Sequence, residues 1–132
     1  MKLRMEPIFT DTNVIIWLLK GKENVIAFFA NNMGCLVSNI IVYLEVMHVI
    51  RRLSQKLHRP LDLTPVHEVF ENLALLPIDG VSMRRVSELV EHYNLMPNDA
   101  MIAATCEHYK IKEIATYDED FTRLNFLKVI TP

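Results

Sequence analysis

The sequence predicts an α/β fold with a central, mostly parallel sheet of four or five strands flanked by helices. Two observations lead there. Short apolar runs of strand length alternate with longer stretches whose apolar residues recur at helical spacing, the order expected of parallel strands joined by helical crossovers. No Pro-rich or Ser/Gly-rich tract interrupts the 132 residues, so one domain spanning residues 1–132 is expected, long enough to bury a core without disulfides or a structural metal.

The elements follow in order. Pro7 to Asp11 reads as a short strand, and Thr12 to Lys20 as a helix stopped by Lys20-Gly21. Asn24 to Asn32 is a second helix and Cys35 to Ser38 a second strand. Asn39 to Leu57 carries Ile40, Ile41, Tyr43, Leu44, Met47, Ile50 and Leu53 at helical spacing, and His58 to Leu63, with Pro60, breaks the pattern. Thr64-Pro65 has the form of an N-cap followed by proline at the first helical position, opening a helix to about Leu75. Leu75 to Ile78 is the third expected strand. Val81 to Tyr93 and the Ala-rich Asn98 to Tyr109 are helical, the latter suited to close packing on a sheet. Glu113 to Tyr117 and Leu127 to Ile130 supply the last strands, with a turn or short helix between them.

Composition narrows the function. A net charge of −2 and a pI near 6.2 argue against coating nucleic acid by bulk electrostatics, so any such contact must be local. Apolar runs such as Val14 to Leu19 are too short to span a bilayer, and the basic N-terminus Met1 to Pro7 is followed by no signal-type apolar region. Cys35 and Cys106 lack metal-ligand or redox spacing and read as buried free thiols. A soluble, cytoplasmic protein without a membrane partner is expected.

Asp11, Glu45, Asp99 and Asp118 stand out because each lies in strongly apolar surroundings. Singly, each has an ordinary explanation: Asp11 and Asp99 as helix caps, Asp118 as a turn residue, Glu45 as a solvated or His48-paired helix residue. Together they fall at strand ends or helix starts, or on a helix beginning at such an end. In an α/β sheet these positions share the rim where ligands bind. Clustered carboxylates repel unless a cation joins them, and hard oxygen ligands suit Mg²⁺ or Mn²⁺. The implied chemistry is metal-assisted attack on a phosphate ester.

Phe9-Thr10-Asp11-Thr12-Asn13, Glu45 in a long helix after Ser38-Asn39, Pro97-Asn98-Asp99-Ala100-Met101, and Ala115-Thr116-Tyr117-Asp118-Glu119-Asp120-Phe121 occur in one order along the chain. In these segments the chain resembles the PIN-domain ribonucleases, most closely the VapC-type toxins of prokaryotic toxin–antitoxin pairs, over essentially its whole length. The resemblance implies a PIN-like α/β/α sandwich. It also implies that Asp11, Glu45, Asp99 and Asp118 form a catalytic cluster holding one or two Mg²⁺ or Mn²⁺ ions, with Asp120 as a possible further acid. Thr12, Asn13 and Thr116 match the polar residues that orient such acids. An endoribonuclease leaving a 5′-phosphate and a 3′-hydroxyl, a homodimer and a protein antitoxin are implied in the same way.

Grip on RNA is assigned to the basic run beyond Glu45, with Arg51, Arg52, Lys56 and Arg59 as phosphate contacts and His48 nearest the acids. Charges on an outer helix face are also commonly just solvated. His67-Glu68-Val69-Phe70-Glu71 lacks the second histidine of a zinc helix, no phosphate-cradling glycine loop occurs, and Trp17 and the methionines of the helices read as core. Two other functions fit the composition. A Mg²⁺-binding phosphoacceptor receiver domain would need a late strand-end lysine where Thr116-Tyr117-Asp118 stands. A non-catalytic RNA- or protein-binding module would use the same cleft without turnover.

Overall fold

The computed structural model describes residues 6–132; the basic N-terminal segment discussed above lies mostly outside them. The elements are β1 (Ile8–Thr10), α1 (Thr12–Leu19), α2 (Glu23–Asn31), β2 (Leu36–Ser38), α3 (Ile40–Lys56), α4 (Thr64–Glu71), β3 (Ala74–Leu75), α5 (Met83–Tyr93), α6 (Pro97–His108), β4 (Glu113–Ala115), a 3-10 turn (Glu119–Arg123) and β5 (Lys128–Ile130). All strand pairs are parallel and the sheet order is β3-β2-β1-β4-β5. The chain thus builds outward from β1 to β3, then crosses to the other side and builds outward again. The reversal falls between β1 and β4, where a doubly wound sheet opens a crevice beyond its carboxyl ends.

Both faces of the sheet are covered. Phe9, Ile114 and Ala115 are fully buried, as are Val14 and Ile15 of α1, Val42 and Val46 of α3, and Leu89 of α5. Strands buried on both faces read as continuous apolar runs, which is why β1 and β4 show no polar alternation. Helix α6 packs against α5 and α3, and its Ala100, Ala103 and Ala104 are all 2% exposed or less. Arg85 of α5 clamps it by a two-pronged contact to Glu107, with Nε–Oε1 at 2.6 Å and a second N–O contact at 3.0 Å.

The structure differs from the sequence reading around α4. Thr64 is the first helical residue and not the cap; its backbone N–H donates to Asp62 Oδ1 at 3.0 Å, so the capping oxygen comes from two residues upstream. The helix stops at Glu71, and β3 occupies Ala74–Leu75 rather than 75–78. Pro77 explains the shift: it has no N–H to continue the ladder after the Leu76 N–H donates to the Ser38 carbonyl. Helix α6 begins at Pro97, where the missing N–H costs nothing.

Both cysteines are buried and neither is in a disulfide among the described residues, and burial pushes the Cys106 thiol well above its usual range. Among the described residues no helix is long and apolar enough to cross a membrane.

Candidate active site

The polar interior gathers at one end of the sheet. Thr10, Asp11, Ser38, Asn39, Thr105 and Thr116 are buried, and all lie at the carboxyl ends of β1, β2 and β4 or on the helices facing them. Ser38 Oγ donates to the Thr10 carbonyl at 3.1 Å, tying β2 to β1. Asn39 caps α3 by accepting from the Val42 N–H at 3.2 Å, and its amide donates to Thr105 Oγ1 of α6 at 3.0 Å. These bonds fix where α3 starts and how it faces α6, and so where Glu45 and Asp99 stand.

Asp11 follows β1 directly. One carboxylate oxygen accepts from the Thr12 N–H at 2.8 Å and the other from Thr116 Oγ1 at 2.7 Å. Thr116 in turn accepts from the Asp118 N–H at 3.0 Å and from the Asn13 side-chain amide at 3.3 Å, while Asn13 Oδ1 accepts from the Tyr117 N–H at 3.1 Å. Thr12 Oγ1 donates to Glu45 Oε1 at 2.9 Å. Every one of Thr12, Asn13 and Thr116 therefore touches an acid or the loop carrying one. Asp118 accepts from the Asp120 N–H at 2.9 Å, capping the 3-10 turn with one oxygen. Arg123 holds Asp120 at 2.8 Å and donates to the Asn94 carbonyl at 2.9 Å, anchoring that acid to the end of α5.

Asp99 is different. Helix α6 is capped at Met96 without any side-chain bond, so Asp99, in its first turn, is not the cap. No hydrogen bond supports its carboxylate among the described residues. Burial, then repulsion from Asp11, Asp118, Glu45 and Asp120, pushes it up to about 7. Proximity to a helix N-terminus favours an anion by only about 0.3–1 kcal/mol, too little to offset this. Burial likewise raises Asp11 to about 6, its two hydrogen bonds and the neighbouring acids being lesser influences.

A cleft of about 360 Å³ is lined by Asp11, Glu45, Asp99 and Asp118, together with Thr12, Asn13, Ile16, Trp17, Lys20 and Val49. Asp99, Asp118 and Asp120 each offer a carboxylate oxygen, all within 4.8 Å of one another, a group able to hold a metal ion. Thr116 is buried behind Asp11. His48 lines a second cavity, of about 380 Å³, that shares Thr12 and Glu45 with the first. Arg51, Arg52, Lys56 and Arg59 are exposed and line neither cavity.

Residues 8–127 match the family model described as PIN domain. The chain belongs to the PIN domain family. Among curated PIN relatives, Ribonuclease VapC2 of Methanocaldococcus jannaschii is 34% identical, over 98% of this chain and 97% of its own length. A toxin–antitoxin complex from Klebsiella pneumoniae superposes with a TM-score of 0.73 at 21% identity, covering 94% of this chain and 96% of that one. DNA-bound VapBC from Salmonella typhimurium gives 0.73 at 19%, covering 96% and 98%.

In this PIN domain Trp17 and some of the methionines depart from their expected environment. Trp17 is not core: it is 41% exposed and stands on the cleft wall. Helix α1 buries Val14 and Ile15 but turns Asn13, Ile16, Trp17 and Lys20 toward the cleft, the i, i+3, i+4, i+7 stripe of a second face. That stripe starting from Asn13 was the available signal; the apolar neighbours Ile15 to Leu19 obscure it. The methionines also divide, with Met47 and Met101 packed on the core and Met33, Met83 and Met96 exposed at helix ends or turns.

Proposed function

We propose that this chain is a divalent-metal-dependent endoribonuclease acting as the toxin of a toxin–antitoxin pair. The observation that carries the reading is the convergence of Asp11, Glu45, Asp99 and Asp118 on one cleft where the sheet order reverses. The relative named Ribonuclease VapC2 supports the same reaction class.

The donor set fits Mg²⁺ or Mn²⁺. Asp99 is half-buried, lacks a hydrogen-bond donor among the described residues and is held toward its neutral form by burial and then by its fellow acids, an arrangement that a cation relieves. Asp99, Asp118 and Asp120 would hold one ion, with Asp11 and Glu45 in the same cleft available as further ligands or for a second. The chemistry a bound ion would supply here is acidification of a water for attack on the phosphodiester and compensation of charge on the phosphate and leaving oxygen. The chain's own residues do the positioning. Thr116 and the Thr12 N–H keep Asp11 oriented, Thr12 holds Glu45, and Arg123 holds Asp120, so that little reorganisation is needed when substrate arrives.

Arg52 and Lys56 lie seven and eleven residues past Glu45, close to the same azimuth of α3, and about 10 and 16 Å further along its axis. We assign them to phosphates distant from the cut, with His48 nearest the acids. Arg51 falls on another side of the helix and Arg59 beyond its end, which leaves these two as general electrostatic contributors. A homodimer, a protein antitoxin and a cytoplasmic location complete the proposal.

The test is cleavage of RNA by wild type and Asp11→Asn, each with Mg²⁺, Mn²⁺ or chelator. Metal-dependent cleavage lost in the variant is expected. Equal cleavage by both proteins removes the nuclease reading, and binding of RNA without cleavage by wild type favours a non-catalytic module.

A further inference from the structure

We propose that Trp17 is the stacking platform for a base of single-stranded RNA next to the scissile phosphate, with Lys20 and Lys22 as the adjoining phosphate contacts. The proposal rests on the nuclease reading above and adds how the substrate is held. Trp17 lines the same cleft as the four acids, so a nucleotide whose phosphate reaches them has the indole within its span. At 41% exposure it leaves a large aromatic surface to solvent at the one place where α1 faces the acids.

Its charged neighbours reinforce this. Lys20 Nζ lies 5.1 Å and Lys22 Nζ 4.9 Å from the indole centroid, and Lys22 also sits 4.5 Å from the ring of Tyr117, the residue before Asp118. Tyr117 is itself fixed by donating its hydroxyl proton to the Pro132 carbonyl at 2.9 Å. Neither lysine forms an ion pair with an acid among the described residues; aromatic faces and, for Lys22, the Tyr117 hydroxyl at 3.5 Å hold them, and their charge stays available. A cleft walled by carboxylates repels RNA, so cations at its rim are needed to receive the backbone. Exposed cation–π contacts are weaker than base stacking on an indole, so an incoming base displaces an ammonium and frees it for a phosphate. Stacking on a flat face also tolerates any base, and requires that base to be out of a duplex.

Trp17 is the only tryptophan in the chain, which gives a direct readout. Its fluorescence in wild type should be quenched by a short single-stranded oligoribonucleotide in Mg²⁺ and not by the same sequence annealed into a duplex. In steady-state cleavage, Trp17→Ala should raise KM about tenfold while changing kcat about twofold or less, and Trp17→Phe should restore most of the loss. Unquenched fluorescence, or a KM unchanged in Trp17→Ala, overturns the platform. So does equal impairment of the Phe and Ala variants. Absence of cleavage by wild type would instead count against the nuclease, a result separable because the quenching measurement needs neither turnover nor a variant.

Discussion

Thr116 Oγ1 donates to Asp11 Oδ2 at 2.7 Å, joining residues 105 positions apart across the ends of neighbouring strands. The same hydroxyl accepts from the Asp118 N–H and from Asn13, so one side chain couples the β1 end, the α1 start and the loop after β4. Thr116→Val, which keeps the shape and removes the hydroxyl, is expected to weaken Mn²⁺ binding about 10–100-fold, as loss of a ligand-orienting partner does. It should also cost about 1–3 kcal/mol of stability by stranding buried partners. Calorimetric titration and thermal melts check both; an unaltered Mn²⁺ affinity would show that Asp11 is oriented without it.

The acids should make the metal-free protein less stable as pH rises. Asp11 is raised from 3.8 to about 6 and Asp99 from 3.8 to about 7, so between these limits the folded chain binds more protons than the unfolded one. Their contribution is complete below about pH 3.8 and is lost as pH passes through 6 to 7. For buried Asp11 the change is on the order of 3 kcal/mol. Melts in chelator should therefore show a lower Tm at pH 8 than at pH 5, and Mg²⁺ should recover the difference at pH 8. A metal-free Tm that climbs between those pH values contradicts the assignment.

Asp99→Asn separates ligand from cap. Because Asp99 accepts no hydrogen bond and α6 is capped elsewhere, the variant should match or exceed the wild type's metal-free stability while binding Mn²⁺ more weakly. A capping role would instead cost about 1 kcal/mol in the absence of metal.

Ala103→Leu probes the close approach of α6. Ala103 is fully buried in the core, and the added carbons have nowhere to go without moving the helix that carries Asp99. A loss of about 1–3 kcal/mol is expected, with cleavage falling further than stability alone explains. Denaturant melts paired with cleavage rates distinguish the two effects.

Much of this arrangement was legible before the coordinates. Asp11 and Asp118 stand at strand ends because an apolar run stops abruptly at each, and Glu45 is the lone acid in the first three turns of α3. Asp120 was harder to place, since its approach to Asp99 depends on how the 3-10 turn after Asp118 sits against α6, a relation between segments distant in sequence. The strand order was not legible either. That β3 joins β2 while β5 joins β4 depends on distant pairings, and the two-residue β3 carries almost no pattern of its own. Trp17 misled because a helix with two useful faces, one packed and one lining a cleft, resembles an entirely buried one when read by hydrophobicity alone.

The seam between β1 and β4 also governs timing. Asp11 and Glu45 are synthesised before Asp118 and Asp120, and on that side β1 stays bare until β4 has been made. The contact that orients Asp11 therefore cannot form until β4 has docked, so this end of the sheet is completed by long-range closure and not by local folding.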